Sequence, residues 1–481
     1  MKLIYCFLLL LVFVSSAFAQ NSPPPPSAPR SVTFPRATEM TLPNGLHVII
    51  IERHNTPLVT AGLVIKNGSE IDPTSLAGVA DMTANLLVKG TTTRTATQIA
   101  QQAEALGSAL GTQAQWDSTT VSLEVMSDKA GPALSLIADV IRHPTFKADE
   151  VERLRQQYID SFTVSADDPP TLARFVAAKV IYGDGLYGHP LQGTLESLKK
   201  ITRANIVRVH QLYYRPDNAI LMIGGDIDQA NGFALAKRYF GDWINPGLRM
   251  PTLAKISIND QRRIIVVDKE DAGQAAVVVV HRGIDRKDDE YYQGMVANSV
   301  LSGYSGRLNQ EVRIKRGLSY GAVSSLNPRR EVGPFVATAQ TKNESGAEVA
   351  DLLLQEIGRL SSAPPDTTEL VPRKASLIGD FSRSLETVDG LVSRVSELAL
   401  YGLSLDEINR YIERVEAVGG AEVKNFSNMK LNASSAAIII VGKATAFLPA
   451  LQKKYGNVEV IPYEELDLNR KTLRKVSTTS R

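Results

Sequence analysis

The chain repeats one order of predicted strands and helices twice, and this repeat limits the folds open to it more than any other feature. In each copy, two apolar runs are followed by two stretches of helical periodicity, then by a further strand and a further helix. The first copy comprises residues 47–53, 58–66, 77–88, 96–106, 118–125 and 130–141, and the second comprises residues 263–269, 275–281, 291–301, 306–315, 333–340 and 346–360. Its period is roughly 200 residues or a little more, whereas solenoid repeats span roughly 20–50 residues. We therefore predict two similar α+β domains, each a mixed sheet packed by helices.

The length and the breaker residues suggest where these domains begin and end. At 481 residues the chain exceeds what a single core usually supports. Proline and glycine cluster at residues 245–252, so we predict domains at 37–244 and 259–465 joined by a linker at 245–258. Residues 466–481 form a basic tail, which we interpret as a solvated terminus. The net charge of +2 gives no indication of a nucleic-acid partner.

The first residues have the pattern of an export signal. Lys2 precedes an apolar run at residues 3–14, and an Ala-x-Ala pattern ends at Ala19. We predict a signal peptide at 1–19, cleaved after Ala19, and a periplasmic or extracellular protein. The apolar run is shorter than the roughly 20 residues that a membrane helix needs, so we expect no stable membrane span. Residues 20–36 form a stiff, proline-rich linker.

The single cysteine limits the possible chemistry. Cys6 lies inside the predicted signal peptide, so the mature chain has no thiol and cannot be a cysteine peptidase. The absence of cysteine from the mature chain is compatible with an oxidising compartment. No serine stands in a Gly-x-Ser-x-Gly elbow, so nothing supports serine hydrolase chemistry.

One helical segment resembles a known zinc site from which the ligands are missing. Residues 78–91 read Gly-Val-Ala-Asp-Met-Thr-Ala-Asn-Leu-Leu-Val-Lys-Gly-Thr. This segment resembles the zinc-site helix of the M16 metallopeptidases, the family of insulinase, pitrilysin and the mitochondrial processing peptidase. Active members carry His-x-x-Glu-His there. This chain has Asp81, Ala84 and Asn85 at those three positions.

These replacements remove the chemistry that the family needs. Two histidines four residues apart share a helix face and bind zinc together, while the glutamate activates the bound water. Asp81 and Asn85 offer only oxygen ligands, and Ala84 offers no base. The chain's histidines are scattered without that spacing: His47, His54, His143, His189, His210 and His281. We therefore expect no metal in this chain, and interpret Asp81 and Asn85 as a solvated helix face; residual metal binding is the alternative.

The resemblance also implies where a third zinc ligand would lie. Active members take a glutamate from a later helix. The matching region, residues 152–162, has no clear glutamate at the expected position and puts Asp160 or Ser161 near it.

Other motifs extend the resemblance over nearly the whole mature chain. Residues 41–48 are similar to the start of an M16 domain, residues 213–226 to its closing strand, and residues 301–320 to the distinctive C-terminal motif. The resemblance implies mainly antiparallel mixed sheets in the half-length, two-domain branch, whose members pair so that four domains enclose a chamber. It further implies that Arg313 and Tyr320 hold the substrate carbonyl and the developing oxyanion at another domain's zinc site. The simpler interpretation is a solvated Arg313 and a core Tyr320.

Three hypotheses follow. The first is a non-catalytic subunit that binds no cofactor itself and forms a heterodimer with an M16 partner. That partner would carry the zinc, and the complex would cleave peptides. The second is an inert peptide-binding or scaffold protein, for which an edge strand within residues 112–120 could pair with an extended peptide. The third is an atypical hydrolase with Asp81, Asn85 and Asp160 on magnesium or calcium.

Overall fold

The computed structural model of the protein describes residues 34–253 and 262–476. The predicted signal peptide with its cleavage site, residues 20–33 of the proline-rich linker, residues 254–258 of the interdomain linker and the last five residues of the tail lie outside the described residues.

Two sheets of six strands each carry the fold, as the repeat predicted. The central strands are continuous apolar runs, such as those of residues 47–52 and 437–442, because both faces of each sheet are covered. The strands of the first sheet are β1 (Ala37–Thr41), β2 (His47–Glu52), β3 (Leu58–Ile65), β4 (Gly111–Ala114), β5 (Thr119–Met126) and β6 (Ala219–Gly225). Those of the second are β7 (Ile264–Asp268), β8 (Ala275–Arg282), β9 (Ser319–Leu326), β10 (Pro334–Thr341), β11 (Ala437–Gly442) and β12 (Glu459–Pro462).

The two sheets have the same topology except at one edge. The first runs β1-β2-β6-β3-β5-β4 and the second β12-β7-β11-β8-β10-β9. In both, one parallel pair (β2 with β6, β7 with β11) is followed by antiparallel pairs only. The outermost strands differ, since β1 is antiparallel to β2 whereas β12 is parallel to β7. The prediction of two mixed, mainly antiparallel sheets in an α+β fold is confirmed.

Helices follow the strands in both halves. Those of the first half are α1 (Val79–Leu86), α2 (Ala96–Ala105), α3 (Ala130–Arg142), α4 (Ala148–Asp167), α5 (Pro169–Tyr182), α6 (Leu195–Lys200), α7 (Arg203–Tyr213) and α8 (Gln229–Phe240). Those of the second half are α9 (Tyr291–Leu301), α10 (Arg307–Asn309, continuing as the π-helix Gln310–Ile314), α11 (Gly346–Ser362), α12 (Thr367–Ser384), α13 (Val388–Leu400), α14 (Glu407–Glu416), α15 (Gly420–Lys430) and α16 (Leu448–Tyr455).

Each half contributes one helix to the sheet of the other. Helix α5 packs on β8 and β11 of the second sheet, and its Val176 and Ala177 share a buried cluster with Val278 and Ile439. Helix α13 packs on β3 and β6 of the first sheet. The contact is close, because a Cβ on Gly224 of β6 would collide with the side chain of Val392. This exchange makes the two halves one packed body from Pro35 onward.

The basic tail is not a solvated terminus over its described part. Leu468 and Leu473 are buried in the same cluster as α5. The side chain of Asn469 accepts a 2.7 Å hydrogen bond from the hydroxyl of Thr194. Leu468 and Leu473 stand among the charged residues of the tail, and their burial holds the segment against the body of the protein. The expectation of a solvated terminus is therefore wrong for this part of the tail.

Candidate functional site

Helix α1 begins at a turn that fixes its direction. Gly78 precedes it with a φ of +95°, a conformation that a side chain would strain. The buried carboxylate of Asp72 caps the first turn, accepting hydrogen bonds from the backbone N–H groups of Gly78 (2.7 Å) and Ala80 (3.0 Å). Burial raises the pKa of Asp72, and these two hydrogen bonds oppose that rise. The turn therefore holds the helix in one orientation.

Asp81 and Asn85, one turn apart on α1, are tied together by a tyrosine from α4. The Tyr158 hydroxyl donates a 2.6 Å hydrogen bond to Oδ2 of Asp81. The Asn85 amide in turn donates to the Tyr158 oxygen at 2.9 Å and to the backbone oxygen of Asp81 at 3.0 Å. Ala84 lies between them, fully buried. We call Asp81, Asn85 and Tyr158 the closed triad.

The expectation of a solvated helix face is wrong for Asp81. Its side chain is buried, and Asn85 is partly buried. The cause is Tyr158, whose hydroxyl gives the carboxylate a partner away from water. Burial raises the pKa of Asp81, and the hydrogen bond from Tyr158 opposes that rise. Burial and the neighbouring Asp81 charge raise the pKa of the Tyr158 phenol, so it remains a donor at neutral pH.

The prediction that Asp160 or Ser161 lies near this position is also wrong. Val151, Leu154 and Tyr158 form the buried face of α4. Asp160 follows Tyr158 by two residues, which turns it about 200° around the helix. It is exposed and accepts a 2.9 Å hydrogen bond from Gln156, while Ser161 is exposed as well. The atypical hydrolase that uses Asp160 therefore lacks its third ligand.

The residues at the closed triad do not fit the zinc ion of the active peptidases. Ala84 has no donor atom, the Asn85 amide nitrogen points at Tyr158, and the Tyr158 hydroxyl stays protonated. Within residues 34–253 and 262–476, no group of three or more histidine, cysteine or acidic side chains is arranged to hold a metal ion. Helix α1, whose sequence resembles a zinc-site helix, therefore offers no set of zinc donors.

Arg313 and Tyr320 lie in the second half, Arg313 on the π-helix Gln310–Ile314 and Tyr320 on the strand that follows it. The Arg313 guanidinium lies 5.5 Å from the centre of the Tyr304 ring, and no acidic side chain in the described part of the chain pairs with it. Tyr320 is 90% exposed, on the edge strand β9. The register of β9 against β10 shifts here, between Ala339 and Thr341, and such an irregularity redirects side chains. Tyr320 is therefore not a core residue.

A cavity of about 660 Å³ lies between the two halves. Asp81 and Ala114 are in its wall on one side, and Val323, Ser324 and Ser325 of β9 are on the other. Its lining includes neither Arg313 nor Tyr320. Asp81 of the closed triad and strand β9 thus line the same cavity, whereas Arg313 and Tyr320 do not line it.

Four residues important to this region were not identified from the sequence. Tyr158 could have been found, because it continues the apolar spacing of Val151 and Leu154. Trp116, His189 and Arg329, which line the cavity, give no such sequence signal.

Comparisons with known proteins find matches over both halves of the chain. Residues 47–189 match the family description "Insulinase (Peptidase family M16)", and residues 200–377 match "Peptidase M16 inactive domain". An uncharacterized zinc protease of Mycobacterium leprae is 26% identical over 403 residues, covering 83% of this chain and 90% of that protein. The zinc protease YmxG of Bacillus subtilis is 24% identical over 386 residues, covering 79% and 93%.

Solved structures have the same fold over most of the chain. A peptidase M16 inactive domain from Pseudomonas fluorescens superposes with a TM-score of 0.79 at 27% identity, covering 84% of this chain and 98% of that one. A protease from Helicobacter pylori gives 0.81 at 20% identity, covering 85% and 100%. The first half of the periplasmic protease PqqL from Escherichia coli gives 0.68 at 16% identity, covering 89% and 98%. The described residues contain no helix with the length and apolar character of a membrane span.

Proposed function

This chain belongs to the M16 peptidase family, and from that premise we propose that it is the non-catalytic subunit of an exported zinc peptidase. The closed triad carries the proposal. A zinc helix whose ligands are replaced by hydrogen-bonded Asp81, Asn85 and Tyr158 cannot supply the metal-bound water of the family reaction. The zinc would therefore reside in a partner.

The partner would be an M16 chain with an intact His-x-x-Glu-His motif, forming a heterodimer with this one. Residues 37–244 and 259–465 would be this chain's two domains in it. The substrates would be peptides or unfolded segments small enough to enter the space that the domains enclose.

Arg313 and Tyr320 would be this chain's contribution to the reaction. Tyr320 is almost fully exposed, and Arg313 has no acidic partner in the described part of the chain, so both side chains are available to a substrate bound on another subunit. A guanidinium and a phenol suit the task, because fixed donors at a forming oxyanion lower the barrier more than donors that must reorganise. Gly317, with a φ of +65°, makes the tight turn between them.

We place the complex in the periplasm or outside the cell. The predicted signal peptide at residues 1–19 supports this location. The chain also has the fold of the first half of PqqL, which is described as a periplasmic protease.

The test of this role is the turnover of the complex with altered donors. Removing one oxyanion donor typically lowers kcat by about 100-fold or more, so Tyr320→Phe should do so while the complex still assembles. Arg313→Ala should also lower kcat/KM. Tyr463→Phe, at the opposite edge of the same sheet, and Arg316→Lys are the matched controls and should leave turnover unchanged. Unchanged kcat/KM in both Tyr320→Phe and Arg313→Ala would reject the role.

The second candidate is an inert peptide-binding or scaffold protein. The same closed triad favours it, since nothing in a scaffold requires a metal. It predicts a stable complex with peptide or partner and no chelator-sensitive hydrolysis. The exposed Tyr320 argues against it, because a scaffold does not need an unburied phenol at the sheet edge.

A further inference from the structure

The cavity between the halves is walled by aromatic rings and by two arginines. Trp116, Phe175, Tyr182 and His189 come from the first half, as does Arg174, while Arg329 comes from the second. Its volume of about 660 Å³ lies within the range of small-ligand sites, roughly 300–1,000 Å³. The wall combines apolar surface with a few polar groups, which is the usual composition of a ligand pocket.

Arg329 is the most unusual of these residues. It lies in the loop between β9 and β10 and reaches into the first half, where its guanidinium carbon is 4.4 Å from the ring centres of both Trp116 and Tyr187. The Tyr182 ring lies 5.8 Å away. Atom Nη1 is closed off from solvent and has no hydrogen-bond partner among the described residues. The rings compensate part of the cost of burying the charge, but they accept no N–H hydrogen bond in the plane of the guanidinium.

The nearby acid does not pair with this guanidinium. Asp117 accepts a 2.6 Å hydrogen bond from Tyr187 at one oxygen. Its other oxygen accepts from the backbone N–H of Arg330 (2.7 Å) and from the Tyr401 hydroxyl (3.0 Å). Burial accordingly lowers the pKa of Arg329. The Asp117 charge opposes this shift without forming an ion pair, so an incoming anion that contacts the guanidinium would find a strong partner there.

His189 contributes a neutral ring to the same cavity. The ring is buried, and Nδ1 lies 3.0 Å from the carbonyl oxygen of Pro190, to which it must donate. Burial lowers the pKa of His189 to about 4, and hydrogen bonds to the backbone of Pro190 and Ser69 oppose that shift, so the ring is neutral at pH 7. His189 therefore adds no charge to the wall.

The charges in the wall favour an anion over a cation. Arg329 and Arg174 contribute two positive charges, whereas Asp81 contributes one carboxylate, and that carboxylate already accepts the hydrogen bond of Tyr158. A ligand that suits this wall needs an anionic oxygen for Arg329 and an apolar body for the rings.

We propose that this cavity binds an organic carboxylate with an apolar body, as found at the C-terminal residue of a peptide or in a free aromatic acid. The carboxylate pairs with Arg329, and the apolar group lies against Trp116 and Phe175. The site is built by this chain alone and does not depend on a catalytic partner.

Ligand binding in this cavity can be measured by tryptophan fluorescence. The chain has two tryptophans, and Trp243→Phe leaves Trp116 of the cavity wall as the reporter. The full mature chain with this change is titrated with N-acetyl-alanyl-phenylalanine, with its C-terminal amide, and with phenylpropionate. The free acid should change the emission saturably, and the amide should bind at least about tenfold more weakly because it has no charge for Arg329. Phenylpropionate binding as tightly as the dipeptide would assign the site to free acids, and weaker binding would assign it to peptide ends.

A variant comparison separates recognition from folding. Arg329→Lys keeps the charge but loses the planar fork, so affinity for the free acid should fall about tenfold. Arg316→Lys, outside the cavity, should not change it. If Arg329→Lys fails to fold, comparing the affinities of the free acid and the amide for the parent chain still tests whether the cavity recognises a carboxylate. Equal affinity for acid and amide, or no saturable binding of any of the three probes, would overturn the proposal.

Discussion

The Tyr158 hydroxyl donates a 2.6 Å hydrogen bond to the buried carboxylate of Asp81, on the helix whose sequence resembles the zinc-site helix of active M16 peptidases. Asn85, one turn further along the same helix, donates to the Tyr158 oxygen. These hydrogen bonds join α1 to α4 without a metal ion.

Removing the tyrosine hydroxyl should destabilise the protein. Tyr158→Phe removes the side-chain donor of the buried Asp81 carboxylate and leaves it only the backbone N–H of Ala114, which should cost about 1–3 kcal/mol of unfolding free energy. Urea unfolding at pH 7 measures the change. Tyr304→Phe, at a residue that is 72% exposed, is the control and should lie within about 0.5 kcal/mol of the parent. An unchanged midpoint for Tyr158→Phe would show that the hydrogen bond contributes nothing net.

Restoring the family's ligands should restore a zinc site. Asp81→His and Asn85→His supply two imidazoles on one face of α1, and Tyr158→Glu supplies a carboxylate at the position that now contacts both residues. Ala84→Glu adds the general base. The quadruple variant should retain one zinc ion per chain after gel filtration, measured by elemental analysis. The same variant with Tyr158 left unchanged should lose most of it. No zinc in the quadruple variant would mean that α1 and α4 no longer hold the spacing of a metal site.

The exchange of helices between the halves can be tested at its closest contact. Gly224→Ala places a methyl group against Val392 of α13, and overpacking of this kind costs about 1–3 kcal/mol. Val392→Ala alone also destabilises, because it leaves a cavity. Together the two changes should cost less than the sum of their separate effects, as thermal unfolding in a double-mutant cycle would reveal. Strict additivity would mean that the two residues do not contact each other in solution.

Acid should destabilise the protein partly through His210. Burial lowers the pKa of His210 to about 4 from its ordinary value of 6.5, and its Nε2 lies 2.7 Å from the backbone oxygen of Ile141. Between pH 6.5 and pH 4 the unfolded chain therefore binds a proton at His210 that the folded chain does not bind. The contribution of His210 to the free energy of unfolding is full above pH 6.5 and is lost as the pH falls toward 4. A shift of this size corresponds to about 3 kcal/mol.

Comparison with His210→Gln isolates this residue. Glutamine keeps a donor for the Ile141 carbonyl but does not titrate, and every other group, including the buried Glu70 whose raised pKa acts in the opposite direction, is common to both proteins. Between pH 7 and pH 4 the parent should lose more unfolding free energy than the variant in urea titrations. Parallel pH profiles would contradict a buried, neutral His210.

The repeat predicted the fold because its information is local. Strands such as β8, with four consecutive valines, and helices such as α9 at Tyr291–Leu301 agree with the prediction to within a residue, since apolar runs and helical periodicity are properties of neighbouring residues. The helix exchange was not predictable in this way. Periodicity shows that α5 is apolar on much of its surface, but not that the covering sheet belongs to the other half.

At the site, only residues that belong to a single sequence motif were predicted. Asp81, Ala84 and Asn85 follow from one helical segment, and Tyr158 could have followed from the buried face of α4. The contact between Arg329 and Trp116 joins residues more than 200 positions apart in sequence. It exists only because a loop of the second half enters the first, and no sequence pattern carries that information.

The central claim is that this chain supports zinc-dependent hydrolysis in a partner without binding the metal itself. The most direct measurement is the peptidase activity of the protein captured from its own host by a C-terminal tag, assayed on a quenched peptide library with and without a zinc chelator. The account predicts chelator-sensitive cleavage that accompanies a co-captured M16 chain carrying His-x-x-Glu-His and that is absent from the lone recombinant chain. A stable complex without hydrolysis, or chelator-sensitive cleavage by the lone chain, would contradict it.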